Sequence, residues 1–261
     1  MTAAVEAQQS LRLSVRCEDV SLDESAKKNY GKLTDTIKAW NETTSGAYDG
    51  IKVIKQLGVL FGSDHLVKQA NGYIAGTALW RVFPTAKTFT DSCSKISQLK
   101  YEKLISHWVQ RVSSFAHEFF DFIAMSTYSL AFFIRNSTPF LNAGTCLNFA
   151  CDLTDVVNFG SQSYNALARR SALVTLGRPE LVRANEDSLE NHLLKLVKSV
   201  AALVGTIFAC GALYFGAPLI VPAAAAVIAL TAAMFNIGAY YHKNYSCPAM
   251  LKVGFLASAQ A

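Results

Sequence analysis

The sequence lacks charge over a long C-terminal stretch. Charged residues make up 16% of the 261-residue chain, yet the 43 residues from Ser199 to Tyr241 include no Asp, Glu, Lys or Arg. Two apolar lobes in this stretch, Ser199–Gly216 and Ala223–Tyr241, hold 18 and 19 residues, and each is long enough to cross roughly 30 Å of hydrocarbon as a helix. One continuous helix is excluded, because two prolines would interrupt it in the middle. The stretch therefore predicts a transmembrane hairpin. Its turn contains three residues that favour chain reversal, namely Gly216, Pro218 and Pro222.

Small residues in both lobes recur at spacings of three and four. This spacing aligns them on one side of each helix, where they allow a second helix to approach closely. We expect them to pack the two helices of the hairpin against each other, or against a second copy of the chain in a homo-oligomer. The residues concerned are Ala201, Gly205, Ala209, Ala212, Gly216, Ala229 and Ala233.

Basic residues flank the hairpin, and its turn carries no charge. Lys195 and Lys198 precede the first lobe, and Lys243 follows the second. Because Lys and Arg favour the cytoplasmic side of a membrane, both chain ends are expected on that side. The composition leaves one alternative open, an apolar pair buried in a soluble helical bundle and released only on meeting a membrane.

Motifs of the common enzyme classes are also absent. No G-x-S-x-G, G-x-G-x-x-G or G-x-x-x-x-G-K-[ST] sequence occurs, which removes the usual hydrolase, dinucleotide and phosphate-loop signals. His117 and Glu118 begin a zinc-like H-E-x-x-H pattern, but Asp121 stands where the second histidine would be. Asp152 and Asp155 lie three residues apart, and we expect them to be solvated or capping carboxylates. We therefore predict no enzyme activity and no catalytic, cofactor-binding or metal site.

Cysteine usage and net charge exclude two further classes. The six cysteines include no C-x-x-C pair, which argues against a disulfide scaffold. The 24 basic and 19 acidic residues are too evenly scattered for a nucleic-acid surface. No apolar segment near the N-terminus has the length that a cleaved signal peptide needs.

Helical spacing of apolar residues accounts for most of the remaining chain, and no strand alternation is visible. The predicted class is all-α, a multi-helix amphipathic bundle followed by the two-helix hairpin. We predict a flexible leader over 1–20 that could carry a secretion signal, and a helical domain over 21–179. A charged connecting helix over 180–198 should run directly into the hairpin at 199–241, and a short flexible tail covers 242–261.

Start and stop signals predict the first helices of the helical domain. They are expected at Ser25–Trp40, Ile51–Phe61 and His65–Phe83, with a turn-rich run at Asn41–Gly50 and with Pro84 ending the third helix.

The second half of the helical domain carries longer apolar stripes. An amphipathic helix over 85–134 is expected to break near Leu99. Phe122–Ile134 is uncharged but too short to span a membrane, so it predicts either a buried core helix or an interfacial or re-entrant segment. One or two helices should follow over Phe140–Leu176, ending at Gly177.

The bilobed hairpin, its short Pro/Gly turn from Gly216 to Pro222 and a leader without a signal peptide resemble the chlamydial inclusion membrane protein family. Those proteins are secreted by a type III system and inserted in the membrane of the bacterium's intracellular vacuole. The resemblance implies a non-enzymatic protein of the inclusion membrane with both termini in the host cytosol. Its implied partners are the lipid bilayer and host cytosolic proteins or other membranes. The region over 21–198 is larger than a coiled-coil tether and lacks heptads.

Two alternatives have their own signals. Amphipathic helices, a basic stripe near Lys52, Lys55 and Lys68 and the C-terminal hairpin are similar to the membrane-elongating peroxins, which implies membrane remodelling at peroxisomes. A pore-forming protein with a conditionally inserted hairpin, which could act in a bacterial membrane, is the other alternative. Asn236 is the only amide in either lobe, and this shortage of polar residues disfavours a conduit.

Overall fold

The computed structural model describes residues 18–23, 33–96, 105–175, 177, 179–215, 220–246 and 250–255. These residues form seven α-helices and two short strands, with a π-helical turn at His242–Ser246. In chain order the elements are β1 (Glu18–Asp23), α1 (Leu33–Asn41), α2 (Thr44–Leu60), α3 (Asp64–Ile96), α4 (Ile105–Phe133), α5 (Thr138–Thr175), α6 (Pro179–Phe215), α7 (Ile220–Tyr241) and β2 (Met250–Phe255).

Six helices pack as a closed ring. Each helix from α2 to α6 contacts the next one along the chain. Contacts between α7 and α2 then close the ring. The helical character of the predicted bundle is therefore confirmed. The expected order, a bundle followed by a hairpin, is only partly confirmed, because the hairpin helices α6 and α7 are two members of the ring.

A buried core cluster lies where α2, α3 and α4 pack against one another. The cluster contains Tyr48, Ile74, Ala78, Ala124, Met125 and Tyr128, all buried. At Gly144 of α5 the ring of Tyr128 lies directly on the backbone, since an added Cβ would come 2.5 Å from its Cε1 atom. This glycine fixes how closely α4 and α5 approach.

Pro84 does not end a helix, contrary to the prediction. It lies inside α3, which runs for 33 residues. Proline removes one backbone donor and crowds the preceding turn, and the two threonines that follow it donate their hydroxyls to nearby carbonyls of the helix. The Thr85 Oγ1 donates to the carbonyls of Arg81 and Val82 at 2.9 and 3.0 Å, and the Thr88 Oγ1 donates to Pro84 O at 3.2 Å.

The predicted turn-rich run at Asn41–Gly50 is mostly helical, which corrects the prediction. Thr43 is the N-cap of α2, because its Oγ1 accepts a hydrogen bond from Gly46 N at 2.9 Å. The polar residues therefore mark a helix start rather than a loop. An added Cβ at Gly46 would collide with the Trp40 carbonyl, so this close corner requires glycine.

The helices predicted over 85–134 and 140–176 differ from the structure at the start of the first one, because residues 85–96 belong to α3. Residues 97–104, including Leu99, lie outside the described residues, and α4 begins at Ile105. The predicted segment Phe122–Ile134 forms the C-terminal part of α4 up to Phe133, with Met125 and Tyr128 in the core and Phe132 and Phe133 exposed. The region after it is one helix, α5, followed by Gly177 at φ +66°.

The charged connector runs into the first lobe without a break, as predicted. Pro179–Phe215 is one helix of 37 residues. Pro222 was expected in the turn but lies in the first turn of α7, where proline is tolerated because no backbone N–H is needed there. Gly216 and Pro218 lie outside the described residues.

Two strands near the ends of the chain were not predicted. β1 pairs antiparallel with β2, with Val20 opposite Val253 and Leu22 opposite Leu251, and β2 also contacts α6. The interpretation of residues 18–20 as flexible leader and of 250–255 as flexible tail is therefore corrected. Residues 1–17 lie outside the described residues.

We predict that Gly144→Ala lowers the free energy of unfolding by about 1–3 kcal/mol, because the new methyl group must displace the buried Tyr128 ring. Thermal unfolding in detergent measures this loss. The matched control is Gly160→Ala on the same helix, where nothing lies within 4 Å of the added Cβ, so stability should stay level or rise by up to about 1 kcal/mol. Equal effects of the two substitutions would contradict the packing described here.

Candidate functional site

Two helices among the described residues are long and apolar enough to cross a membrane. The segments are Pro179–Gly211 and Ala223–Asn244, whose most apolar windows have mean hydropathies of 1.8 and 1.7. Only 11% and 22% of these windows are buried, whereas a core helix of a soluble protein would be mostly buried. The outer faces of the two helices are therefore apolar surfaces that the described chain does not cover.

Large apolar side chains make up these outer faces. Ile207 on α6 is 50% exposed, and Val227 and Met234 on α7 are 54% and 72% exposed. Scattered apolar residues are normal on protein surfaces, but rows of exposed apolar residues along two adjacent helices are typical of a membrane or protein contact. The remaining exposed residues of this outer face are Val197, Val200, Val204 and Tyr214.

The inner face of the hairpin carries the small residues that the sequence singled out. An added Cβ at Gly205 would lie 3.5 Å from Ile228 Cγ2 and 3.8 Å from the Ala225 carbonyl, so the two helices meet closely there. At their other end, Asn191 Nδ2 donates to the Ala239 carbonyl at 2.9 Å. The helices are thus paired in antiparallel fashion along their whole shared length.

Not all of the other small residues predicted to pack the hairpin lie at this helix contact, because three of them line a cavity. Ala201 is half-buried on α6. Ala209, Ala229 and Ala233 line a cavity inside the helix ring. Ala212 lies in α6, but its side chain is outside what the structure describes, as is the whole of Gly216.

The hairpin-turn end of the ring exposes further apolar side chains. Tyr214 near the end of α6 lies next to the start of α5, with its hydroxyl 3.3 Å from Cys146 Sγ. Further exposed aromatic and aliphatic residues come from the end of α4 and the residue after it, from the corner between α2 and α3, and from the first half of α3. They are Phe61, Tyr73, Leu130, Phe132, Phe133 and Ile134.

The predicted flanking lysines differ in their surroundings. Lys243 is exposed, whereas Lys195 lies with its Nζ 5.5 Å from the centre of the Phe159 ring. Lys198 reaches inward, and its Nζ lies 3.8 Å from Asp155 Oδ2. All three lysines flank the hairpin in the sequence, but each has different surroundings in the structure.

Asp155 of α5 forms ion pairs with residues of two other helices, α4 and α6. Its Oδ1 is 3.0 Å from His117 Nδ1 on α4, and Lys198 approaches its other oxygen from α6. Burial alone would lower the pKa of His117, but the hydrogen bond and negative charge of Asp155 outweigh it and raise that pKa to about 9. Burial would raise the pKa of Asp155, and the same contacts to His117 and Lys198 instead hold it below its usual value.

Two further hydrogen bonds connect the hairpin to the other helices. Thr206 Oγ1 donates to Asp152 Oδ2 of α5 at 2.7 Å, and Asn236 Nδ2 donates to Asp49 Oδ2 of α2 at 2.6 Å. Burial raises the pKa of Asp152, an effect that the Thr206 hydrogen bond opposes. Asp152 and Asp155 are thus interior groups, and their interpretation as solvated or capping residues is corrected.

A cavity of about 500 Å³ lies at the centre of the helix ring. Its hairpin wall consists of small residues, and its opposite walls carry Tyr48, Lys52, Lys55 and Asn71 from α2 and α3. Sequence reasoning did not find this space, because the small residues were assigned entirely to helix–helix packing.

The described residues contain no group of three or more His, Cys, Asp or Glu side chains that could hold a metal ion. Comparisons with protein-family models, with curated protein sequences and with solved structures find no match to this chain.

The raised pKa of His117 predicts that the free energy of unfolding depends on pH. Since this pKa rises from 6.5 to about 9 on folding, the protonated imidazole stabilises the fold fully below pH 6.5, and the stabilisation is lost as the pH rises through 9. Wild-type protein should lose about 2–3 kcal/mol of unfolding free energy across this window, whereas His117→Gln should be less stable at pH 6 and nearly flat. Denaturant unfolding in detergent measures both, with His65→Gln on the exposed start of α3 as the control. A wild-type profile parallel to that of His117→Gln would contradict the ion pair.

Proposed function

We propose that this chain is a non-enzymatic, membrane-anchored helical protein of a pathogen vacuole membrane. In this proposal α6 and α7 form the anchor, α2 and α5 lie beside them, and the parts of the helices outside the bilayer present a surface to the host cytosol for contact with proteins or with a second membrane. The single observation that carries the proposal is the uncovered apolar face of the two hairpin helices. The assignment to a vacuole membrane rests on the resemblance of the hairpin, its turn and the leader to the chlamydial inclusion membrane proteins.

The size of the uncovered face favours lipid as its partner. Keeping a side chain the size of valine or methionine in water rather than in hydrocarbon costs about 1.5–3 kcal/mol, and the outer face holds seven large apolar residues. At 1.5 Å per residue, the 22 residues of α7 extend about 33 Å, enough for the hydrocarbon core. A bilayer would cover the whole face at once.

The two-faced character of the hairpin supports a specific placement in the membrane. Its outer side carries Ile207, Val227 and Met234, while its inner side carries Thr206 and Asn236 bonded to carboxylates of other helices. Carboxylates at membrane depth are tolerated when they face the protein interior and are hydrogen-bonded. We therefore propose that lipid contacts only the outer side, and that α2 and α5 lie beside the hairpin.

The pairing of β1 with β2 supports a common side for both chain ends. β1 precedes all the helices and β2 follows the hairpin, and their backbones are hydrogen-bonded along six residues each. Hydrogen-bonded strands lie on the same side of a bilayer, so the anchor crosses the membrane an even number of times. Two crossings by α6 and α7 satisfy this condition.

Alkaline extraction of membranes from expressing cells tests the anchor. Wild-type protein should stay in the pellet, and the double substitution Ile207→Lys with Met234→Lys should move it to the supernatant, because a lysine near the middle of a spanning helix costs about 2.5–3.5 kcal/mol. The matched control is Ile105→Lys on α4, since Ile105 is 82% exposed and α4 packs between α3 and α5 rather than against the hairpin. Release of the wild type by alkali, or equal release of the Ile105→Lys protein, would contradict the proposal.

The side of the chain ends is tested by protease digestion of intact membranes. With an epitope at each end, both epitopes should be cleaved from the cytosolic side in the same fraction of molecules. Protection of one epitope while the other is lost would contradict an even number of crossings.

A conditionally inserted hairpin is a second candidate, favoured by the hydrogen bonds of Thr206 and Asn236 to other helices. If the hairpin must leave the ring before it inserts, a covalent link between Asp49→Cys and Asn236→Cys should block membrane association in its oxidised form. The reduced form of the same protein, with its native cysteines replaced, is the control. Equal membrane association of the two forms supports the resident anchor.

A further inference from the structure

The cavity inside the helix ring is long and narrow. Along α6 its wall runs from Lys198 to Ala209, which is about 16 Å at 1.5 Å per residue. Gly205, Ala225 and Ala229 contribute to the hairpin side of the wall, and larger residues at these positions would occupy the space. A volume of about 500 Å³ lies within the range of about 300–1,000 Å³ found for small-molecule sites.

The cavity is lined by three lysines, Lys52, Lys55 and Lys198, and by two carboxylates, Asp49 and Asp152, and the charge of Lys52 acts on Asp152. Asp49 and Asp152 accept hydrogen bonds from Asn236 and Thr206, and Lys198 approaches Asp155. Lys52 and Lys55, both on α2, form no ion pair with a described residue. Lys52 lies with its Nζ 4.4 Å from the centre of the Tyr48 ring. Burial, and secondarily the charge of Lys52, lowers the pKa of Lys55.

Two buried polar atoms of the cavity lining also lack a partner. Tyr48 is only 2% exposed, and neither its hydroxyl nor the Asn71 Oδ1 has a hydrogen-bond partner among the described residues. A buried polar atom left without a partner is destabilising, and most such atoms in proteins are satisfied by protein, water or ligand. Lys52 and Arg81 both lie over the Tyr48 ring, and its phenol hydroxyl can donate to a negatively charged oxygen.

We propose that the cavity binds an anionic amphiphile. Its carboxylate or phosphate headgroup would lie between Lys52, Lys55 and the Tyr48 hydroxyl, and its alkyl chain would lie along the alanine wall of α6 and α7. A charged headgroup satisfies the two lysines and the unpartnered hydroxyl together, and an alkyl chain fills a space that small apolar residues leave open. The proposal goes beyond the proposed function and does not depend on it, since binding is measured on purified protein.

Native mass spectrometry of the full chain in an amphipathic polymer tests the site. Oleate and oleyl phosphate are the two anionic probes, and oleyl alcohol is the neutral control with the same chain. One molecule of an anionic probe should bind per chain, at least 10-fold more tightly than the alcohol, and the tighter of the two acids identifies the headgroup. Equal affinities for the alcohol and both acids, or no saturable binding, would overturn the proposal.

Two variants separate recognition of the headgroup from loss of the fold. The double substitution Lys52→Met with Lys55→Met should weaken binding of the anionic probes at least 10-fold, whereas Lys68→Met on the exposed face of α3 should not change it. Tyr48→Phe keeps the core ring, so its melting temperature should be equal to or above that of the wild type, while its affinity falls about 3- to 10-fold. Unchanged affinity in the Lys52→Met, Lys55→Met protein, checked to be folded by its melting temperature, would overturn the site.

Discussion

An apolar surface that the chain does not cover itself is the constraint on which the rest of this structure depends. Helices α6 and α7 contact each other through Gly205 and its neighbours, yet most of their apolar windows remain outside the core. Water cannot accommodate such a face at low cost. The proposed anchor and the proposed common side of the chain ends both depend on what covers this face.

The same two helices have a different chemistry on their inner side. Thr206 and Asn236 bond to Asp152 and Asp49, and the Asp155 cluster connects α4, α5 and α6. Apolar packing alone would let these alanine-rich helices slide or rotate against each other with little penalty. Charged and polar contacts with one good geometry are better suited to fixing their register. Thus the hairpin is a part of the helix ring rather than an appendage.

Local signals in the sequence were sufficient for the hairpin and for the helical class. The uncharged run from Ser199 to Tyr241 and the continuity of the connector with α6 are properties of neighbouring residues, so composition and spacing could predict them. Pro84 and Thr43 misled the prediction because their local preferences are ambiguous. A proline can lie inside a helix when other groups take up the hydrogen bonding, and a cluster of Thr and Ser can cap a helix as easily as it forms a loop.

Long-range features could not be predicted from the sequence. β1 and β2 are separated by more than two hundred residues, and strands of six residues carry too little alternation to be seen alone. Asp152 and Asp155 look like surface carboxylates until the partners from α4 and α6 are known. Likewise, small residues at regular spacing can pack two helices or line a cavity, and only the closing of the ring by α2 and α7 decides between these outcomes.

Direct contact between the outer face of the hairpin and lipid tails tests the account most closely. Single cysteines at Val227 and Met234, labelled with a fluorophore in liposomes, would be compared with a label at exposed Tyr164 on the distant part of α5. Lipids brominated along the acyl chain should quench the two hairpin labels strongly and the Tyr164 label weakly. Equally weak quenching at all three positions would show that lipid does not cover this face, and the membrane anchor would have to be abandoned.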